Sequence, residues 1–210
     1  MILYGYWRSS AAYRVRLALG YKGLSWESIP IDLRHDVQSD AEFLGVNPQG
    51  LVPVLVTDVA ALSQSLAIIE YLEETASGPA LLPADPIGRA RVRAAAQVIA
   101  CDIHPINNLR VQRYLTTPLG HDQAEIDAWS RHWINRGLAV LEQFAVAHGE
   151  QFLHGNAVSM ADICLIPQLY NARRAETDLA AFPRLLAIDS RLARYEFAVA
   201  AHPDAQPDRT

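Results

Sequence analysis

A pair of serines stands where a predicted strand passes into a predicted helix. Ser9 and Ser10 follow the apolar residues 2–6 and precede residues 13–19, whose apolar positions suit one face of a helix. The free N–H groups and positive potential of a helix N-terminus stabilise a thiolate or a carboxylate placed there. Because this segment contains no cysteine, any thiolate stabilised there must arrive with a ligand. The alternative is that Ser9 or Ser10 simply caps the helix.

Two further segments have the chemistry to bind an extended, charged ligand. Gln64 and Ser65 bring an amide, a hydroxyl and backbone donors to a second helix start. A cis proline at Pro53 would hold Val52 with its N–H and C=O turned outward, ready to pair with an extended peptide. An ordinary proline at a strand edge is the alternative, and neither segment is specific alone. These two segments and the serine pair lie in one predicted βαβαββα arrangement, and three such signals together are harder to explain by structural roles alone.

The first eighty residues and the remainder have different patterns. Residues 1–78 predict strands and helices in the order βαβαββα, and residues 79–86, three of which are proline, form a linker. Residues 87–210 predict helices at 87–116, at 122–147 and from Ser159, where Ser159 and Asp162 form a structural capping box. Pro105 and Pro167 should kink their helices. Residues 201–210 would be disordered by themselves. The predicted fold class is therefore an α/β domain followed by an all-α domain.

Composition excludes several classes of function. Of the 210 residues, 50% are hydrophobic and 20% charged, and the formal net charge is −5 with no block of like charges. Such a chain folds around a core and is a poor ligand for nucleic acid, and its apolar runs are too short to span a membrane. The N-terminus shows no export signal, and Cys101 and Cys164 are typical of small buried hydrophobes, so we predict a cytoplasmic protein. The histidines and cysteines have no metal-ligand spacing, so no metal site is predicted.

The motifs along the chain resemble those of glutathione transferases, and most closely those of the zeta class, which includes the maleylacetoacetate and maleylpyruvate isomerases. The resemblance extends over nearly the whole chain. It is carried by residues 9–19, 47–53, 64–65, 81–85, 101–110, 159–162 and 202–208. It implies a thioredoxin-like N-terminal domain that binds glutathione, a helical C-terminal domain that shapes the co-substrate site, and a homodimer.

The resemblance also implies a role for particular residues. Ser9 and Ser10 would be catalytic residues beside the glutathione sulfur. The residues that would bind glutathione are Val52, Pro53, Gln64, Ser65, His104 and Asn108. His104 and Asn108 are one helical turn apart and would share a face, although a lone helical histidine is more often structural. Ala11 stands where many members have cysteine, which excludes a mechanism that needs a protein thiol there.

Arginines would bind the carboxylates of the second substrate. A maleyl-type keto acid has one or two carboxylates, for which guanidinium groups are good partners. The candidates are Arg8, Arg110 and Arg174, with Arg173 as an alternative to Arg174. Exposed or ion-paired arginines are the structural alternative at each position.

We therefore predict a glutathione-dependent cis-trans isomerase that converts a maleyl-type acid, maleylpyruvate or maleylacetoacetate, into its fumaryl isomer during aromatic degradation. The thiolate would add to the double bond beside the ketone, allow rotation, and leave again. One alternative is a glutathione transferase or dehalogenase, in which the thioether persists or halide leaves. Another is a scaffold that binds glutathione without catalysis.

Overall fold

The computed structural model describes residues 1–209, which form two compact units. The first consists of Met1–Ala80 together with residues 193–209, and the second of Leu81–Leu192. This differs from the predicted division, in which residues 87–210 all form the second domain. The reason is that the C-terminal segment packs on the first helix of the chain. Thr210 lies outside the described residues.

The first unit is a mixed sheet with helices, in the predicted order βαβαββα. The strands are β1 (Ile2–Gly5), β2 (Glu27–Pro30), β3 (Val54–Val56) and β4 (Ala61–Ser63), and the helices are α1 (Ser10–Tyr21), α2 (Ala41–Val46) and α3 (Ser65–Thr75). The strand order across the sheet is β2-β1-β3-β4. Phe43 of α2 packs with Ile31 and Val54 in a buried cluster, while α1 and α3 pack together.

The sheet register brings the candidate segments to one end of the sheet. β1 is antiparallel to β3 with Tyr4 opposite Val54, and β3 is antiparallel to β4 with Val54 opposite Ser63. The carboxyl end of β1, the start of β3 and the carboxyl end of β4 therefore coincide. The segments attached to these strand ends are Ser9-Ser10, Val52-Pro53 and Gln64-Ser65.

The C-terminal tail is ordered, which corrects the expectation of disorder. The last helix of the chain, Glu196–Ala201, packs on α1, and its Phe197 stacks edge-on against Tyr21 with ring centroids 5.2 Å apart. The Trp7 backbone N–H donates to the Asp208 carboxylate at 3.0 Å. Residues distant in sequence supply these partners, so local composition did not reveal them.

The second unit consists of helices. They are α4 (Pro86–Gln97), α5 (Leu109–Thr116), α6 (Gln123–His148), α7 (Met160–Arg174) and α8 (Pro183–Leu192), and the helix Glu196–Ala201 of the first unit completes the series as α9. Among the residues that the structure describes, none of the helices combines the length and apolar character needed to cross a bilayer. α7 continues through Pro167 to Arg174.

The single helix predicted at residues 87–116 is wrong. After α4 the chain forms a π-helical segment, Val98–Ile103, and a 3₁₀ turn, Pro105–Asn107, before α5 begins. Pro105 has no N–H for a helical hydrogen bond, and Asn108 accepts from the Val111 N–H at 3.2 Å, so it starts a new helix. The kink expected at Pro105 is therefore a complete interruption.

The predicted box at the start of α7 is present and buried. Asp162 is fully buried, and its Oδ2 accepts from the Ser159 N–H at 2.9 Å and the Ser159 hydroxyl at 2.6 Å. Its Oδ1 accepts from the Leu153 N–H at 2.9 Å. The carboxyl group therefore joins the helix start to the loop before it, which is more than a local cap does.

Gly137 marks a close contact between α6 and the π-helical segment. A Cβ at this position would lie 2.2 Å from Cδ1 of Ile103, which is almost fully buried. We expect Gly137→Ala to lower the free energy of unfolding by ~2 kcal/mol, since overpacking costs ~1–3 kcal/mol and outweighs the better helix propensity of alanine. Urea denaturation followed by circular dichroism measures the change.

Gly45 of α2 is the matched control for this substitution. A Cβ built there has nothing within 4 Å. Gly45→Ala is therefore expected to raise the free energy of unfolding by ~0.5 kcal/mol through helix propensity alone. Equal effects of the two substitutions would contradict a steric role for Gly137.

Candidate active site

Ser9 is the N-cap of α1, with its side chain half-buried at the end of the sheet. Its Oγ accepts from the Ala12 N–H at 3.2 Å. Capping uses an acceptor site of the hydroxyl and leaves its O–H free to donate to an anion. Ser9 can therefore cap α1 and also serve as a catalytic group.

Ser10 is the first residue of α1 and is buried. The first turn of the helix, residues 10–13, carries only uncharged side chains, so no carboxylate cancels the positive potential of the helix end. Of its N–H groups, that of Ala12 bonds to the Ser9 Oγ and that of Tyr13 to the Ser9 carbonyl at 2.8 Å, whereas those of Ser10 and Ala11 have no carbonyl one helical turn earlier. The start of α1 therefore has the electrostatics that favour an anion.

Ser65 is linked to α1 by a buried arginine. The Arg14 guanidinium, 1% exposed, donates from Nη1 to the Ser65 Oγ at 3.2 Å. The bond places a positive charge beneath the start of α3 and joins it to α1. The sequence analysis assigned no role to Arg14. The available signal was that Arg14 and Arg16 are charged whereas the other residues of α1 are uncharged.

Gln64 precedes α3 with an unusual backbone. Its φ is +68° with ψ 114°, a conformation that side-chain-bearing residues rarely adopt, and its side chain is exposed. The Nε2 of Gln64 donates to Oε1 of Gln49 at 3.1 Å. Strained backbone of this kind costs ~1–3 kcal/mol and is concentrated at functional sites. The contact to Gln49 was not anticipated, although Gln49 lies in a motif that carried the resemblance.

The peptide bond between Val52 and Pro53 is cis, as the sequence analysis considered. Val52 is half-buried, and β3 begins two residues later at Val54. Buried Asn47 holds the turn that precedes Val52, because its Nδ2 donates to the Leu51 carbonyl at 2.7 Å.

Arg8 lies in the turn between β1 and α1, directly before Ser9. Its guanidinium carbon is 5.5 Å from the centroid of the Trp7 ring, within the range of a cation–π contact. The side chain is half-exposed and no ion pair is seen for it among residues 1–209. This partial exposure leaves it able to bind an anion.

The other candidates belong to the second unit. His104 and Asn108 do not share a helical face, which corrects the expectation, because the helix is interrupted between them and Asn108 is extended (φ −77°, ψ 164°). Arg110 is exposed in the first turn of α5, a separate helix. Arg174 is the exposed last residue of α7, and its neighbour Arg173 is engaged with Asp189 at 2.6 Å.

The described residues contain no group of three or more His, Cys, Asp or Glu side chains placed to hold a metal ion. The chemistry that the first unit offers is hydrogen-bond donation to anions. Its donors are two helix starts, the hydroxyls on them, and the buried guanidinium of Arg14. An extended ligand with anionic groups matches this set of donors.

Comparison with known proteins shows which family this chain belongs to. Residues 8–75 match the family model "Glutathione S-transferase, N-terminal domain", and residues 123–188 match "Glutathione S-transferase, C-terminal domain". The chain belongs to the glutathione S-transferase family and, within it, to the zeta class. The predicted fold, a thioredoxin-like domain followed by helices, is confirmed.

Individual relatives are similar over their full length. The maleylacetoacetate isomerase of Rhizobium meliloti is 50% identical, over 97% of this chain and 96% of that protein. A holo structure of a bacterial zeta-class maleyl pyruvate isomerase is 42% identical with a TM-score of 0.98, covering all of both chains. A maleylacetoacetate isomerase from Anaeromyxobacter dehalogenans, solved with GSH bound in the active site, is 44% identical with a TM-score of 0.90, covering 100% of this chain and 97% of that one.

Proposed function

We propose that this protein is a glutathione-dependent cis-trans isomerase of a maleyl-type dicarboxylic keto acid, maleylpyruvate or maleylacetoacetate. The observation that carries the proposal is that two helix starts and the Val52-Pro53 segment meet at one end of the sheet. The start of α1 contains no cysteine, so a thiol at this place must come from a ligand. The names of relatives at 42–50% identity support it.

Glutathione would lie along this end of the sheet. Ser9 and Ser10 would stand beside its sulfur, and the backbone of Val52, held by Pro53, would pair with its cysteinyl residue. Gln64 and Ser65 would hold the γ-glutamyl end, with the charge of Arg14 beneath Ser65. Bound glutathione would supply a thiolate that adds reversibly to the conjugated double bond, so that this bond becomes free to rotate.

The protein's own groups would stabilise negative charge. The O–H of Ser9 would donate to the sulfur anion, and the start of α1 would lower its energy through the helix dipole. Arg8, Arg110 and Arg174 would bind the carboxylates of the substrate, which fixes its orientation. His104 and Asn108 would contribute contacts to glutathione from the second unit. Neither glutathione nor any group of the protein would be consumed in the reaction.

Product analysis with and without glutathione tests the proposal. We expect the trans acid to form only when glutathione is present, and the concentration of free thiol, measured with a thiol reagent, to stay constant through complete turnover. Equal rates without glutathione would contradict the proposal. Stoichiometric loss of thiol, or release of halide from a halogenated acid with no isomerisation, would favour a transferase or dehalogenase.

Gln64 provides a prediction that separates binding from backbone strain. Both Gln64→Ala and Gln64→Gly are expected to raise the Kd for glutathione ~10-fold, because each removes the amide, and a hydrogen bond to a charged group contributes ~1.5 kcal/mol. Only glycine accepts a φ of +68° without strain, so the glycine variant is expected to be ~1 kcal/mol more stable than the alanine variant. Isothermal titration calorimetry and urea denaturation measure the two effects.

Gln143→Ala is the control for the loss of an exposed amide, because Gln143 lies in α6 of the second unit. It should leave the affinity for glutathione unchanged. If both Gln64 variants bind glutathione as the parent protein does, Gln64 has no role in the site.

We further propose a homodimer in the cytoplasm that serves aromatic catabolism. The homodimer is what the resemblance to the zeta class implies. Neither Cys101, which is exposed, nor Cys164, which is buried, forms a disulfide within residues 1–209, which suits a reducing compartment. Light scattering after gel filtration tests the assembly, and a mass near that of one chain would contradict it.

A further inference from the structure

The turn that carries Arg8 and Ser9 is bonded to the C-terminal tail of the chain. The Ser9 N–H donates to the Tyr6 carbonyl at 2.9 Å and closes the turn, so Trp7 and Arg8 are its two central residues. This bond uses neither the N–H nor the carbonyl of Trp7. The Trp7 N–H donates instead to Oδ2 of Asp208 in the tail, at 3.0 Å.

The carbonyl of Trp7 is held by a buried arginine. The Arg16 guanidinium, 3% exposed, donates from Nη2 to the Trp7 carbonyl at 2.9 Å and from Nε to the Ala201 carbonyl at 3.1 Å. The N–H and the carbonyl of one residue belong to successive planar peptide groups, so the two bonds fix the backbone on both sides of Trp7. Both bonds involve a charged side chain, and such bonds are about twice as strong as bonds between neutral groups.

The tail is folded in a way that presents Asp208 to the turn. The Arg209 N–H donates to the Gln206 carbonyl at 3.2 Å, so Asp208 lies inside a second hydrogen-bonded turn. The Gln206 side chain anchors that turn to the end of α9, because its Nε2 lies 2.9 Å from the carbonyl oxygens of both Ala200 and His202. Asp208 therefore reaches Trp7 from a segment that is itself held in place.

Two of the proposed functional groups depend on the position of Trp7. Ser9, two residues later, caps α1 and carries the hydroxyl that we propose to donate to the glutathione sulfur. The Arg8 guanidinium lies 5.5 Å from the centroid of the Trp7 ring. A shift of the Trp7 backbone would therefore displace both the hydroxyl and the guanidinium.

We propose that Asp208 is a positioning residue for the isomerisation: it holds the Tyr6–Ser9 turn so that the Ser9 hydroxyl stands beside the sulfur and Arg8 faces a substrate carboxylate. The inference rests on the proposed function. A displacement of ~1 Å in a positioned group can cost up to ~100-fold in rate. The loss of Asp208 alone costs less, because the bond from Arg16 and the turn's own bond remain.

Asp208→Ala is expected to lower kcat/KM for isomerisation ~10-fold at pH 7. If the displaced hydroxyl lets the pKa of bound glutathione rise from ~6.5 to ~7.5, the ionised fraction falls from ~75% to ~24%, which is ~3-fold. The other ~3-fold should appear as a higher KM for the acid, because Arg8 is displaced too. Steady-state kinetics and thiolate absorbance measured against pH report the two parts, and circular dichroism checks the fold.

Two variants separate positioning from a general effect on the tail. Asp208→Asn keeps a side-chain oxygen that can accept from the Trp7 N–H, so it should retain at least half of the parent kcat/KM. Asp204→Ala is the matched control, because Asp204 is an exposed aspartate of the same tail whose carboxylate pairs with Arg209 at 3.3 Å. It should leave the kinetics and the pKa of the bound thiol unchanged.

Amide hydrogen exchange tests the contact without using activity. In the full-length ¹⁵N-labelled chain, exchange of the Trp7 N–H should be at least ~10-fold faster in Asp208→Ala than in the parent protein, and unchanged in Asp204→Ala. Asp208→Glu keeps the charge on a longer side chain and should lose ~3-fold in kcat/KM, so it keeps the test decisive if Asp208→Ala does not fold.

The outcomes distinguish this inference from the proposed function. Parental kinetics and a parental thiol pKa in Asp208→Ala, or in Asp208→Glu if only that variant folds, would overturn the positioning role and leave the isomerase proposal intact. Equal losses in Asp204→Ala, or no recovery in Asp208→Asn, would likewise overturn it. A parent protein that turns over equally well without glutathione would contradict the proposed function itself.

Discussion

Replacing both Ser9 and Ser10 with alanine is expected to lower kcat/KM for isomerisation by up to ~25-fold. A helix start and a hydroxyl that reduce the pKa of a bound thiol from ~8.5 to ~6.5, a shift worth ~2.7 kcal/mol, raise its ionised fraction at pH 7 from ~3% to ~75%. Because the substitutions remove the hydroxyls and leave the helix start, the ~25-fold fall in ionised thiol is the upper limit of the effect. Steady-state kinetics measures the loss, and thiolate absorbance measured against pH reports the pKa of bound glutathione.

Single variants distinguish the two serines. The larger effect is expected from Ser9→Ala, since Ser9 is the serine whose O–H we propose to donate to the sulfur and it is half-exposed, whereas Ser10 is buried. Ser9→Thr keeps both the cap and the hydroxyl and should restore most of the activity. Ser190→Ala changes an exposed serine of α8 and should have no effect. Unchanged kinetics in the double variant would favour the non-catalytic scaffold.

The largest effect on stability is expected from Asp162→Ala. The substitution leaves the N–H groups of Leu153 and Ser159 buried without an acceptor, and it removes the partner of the Ser159 hydroxyl. At ~1–3 kcal/mol for each unpaired donor, the free energy of unfolding should fall by ~3–5 kcal/mol. Urea denaturation monitored by circular dichroism measures the loss.

Glu125→Ala is the matched control, because Glu125 has the same position in the capping box of α6. Its carboxylate accepts from the Asp122 N–H at 3.0 Å but is exposed, so water replaces it when it is removed. We expect a cost of at most ~1 kcal/mol. Similar costs for the two variants would show that burial of Asp162 does not matter.

The pH dependence of stability gives an independent check on Asp162. Burial raises the pKa of Asp162 from 3.8 to about 6, although the hydrogen bonds from Leu153 and Ser159 oppose the shift. The folded state thus holds the proton more tightly than the unfolded state, so this group's contribution to stability is present below pH ~4 and is lost as the pH rises to ~6. The difference in unfolding free energy between the parent protein and Asp162→Asn should fall by ~3 kcal/mol over this range, and a flat difference would contradict the shift.

Several elements of both units were predictable because their signals are local. The serine cap of α1, the box at Ser159 and the order βαβαββα each depend on residues a few positions apart, and the structure reproduces them. The interruption at residues 98–108 was only partly predictable, since Pro105 signals a kink but apolar periodicity continues through it. The resemblance to a known family added the candidate ligand, which no spacing in the chain specifies.

The chain's own pattern of residues was sufficient to predict the starts of α1, α3 and α7, the order of strands and helices in the first unit, and the lack of a protein thiol at the start of α1. Contacts between distant residues required the folded chain. Arg14 meets Ser65 across 51 positions, and Trp7 meets Asp208 across 201. A periodic pattern records which face of an element is buried, but the partner on that face is set by sheet register and packing, which no local window contains.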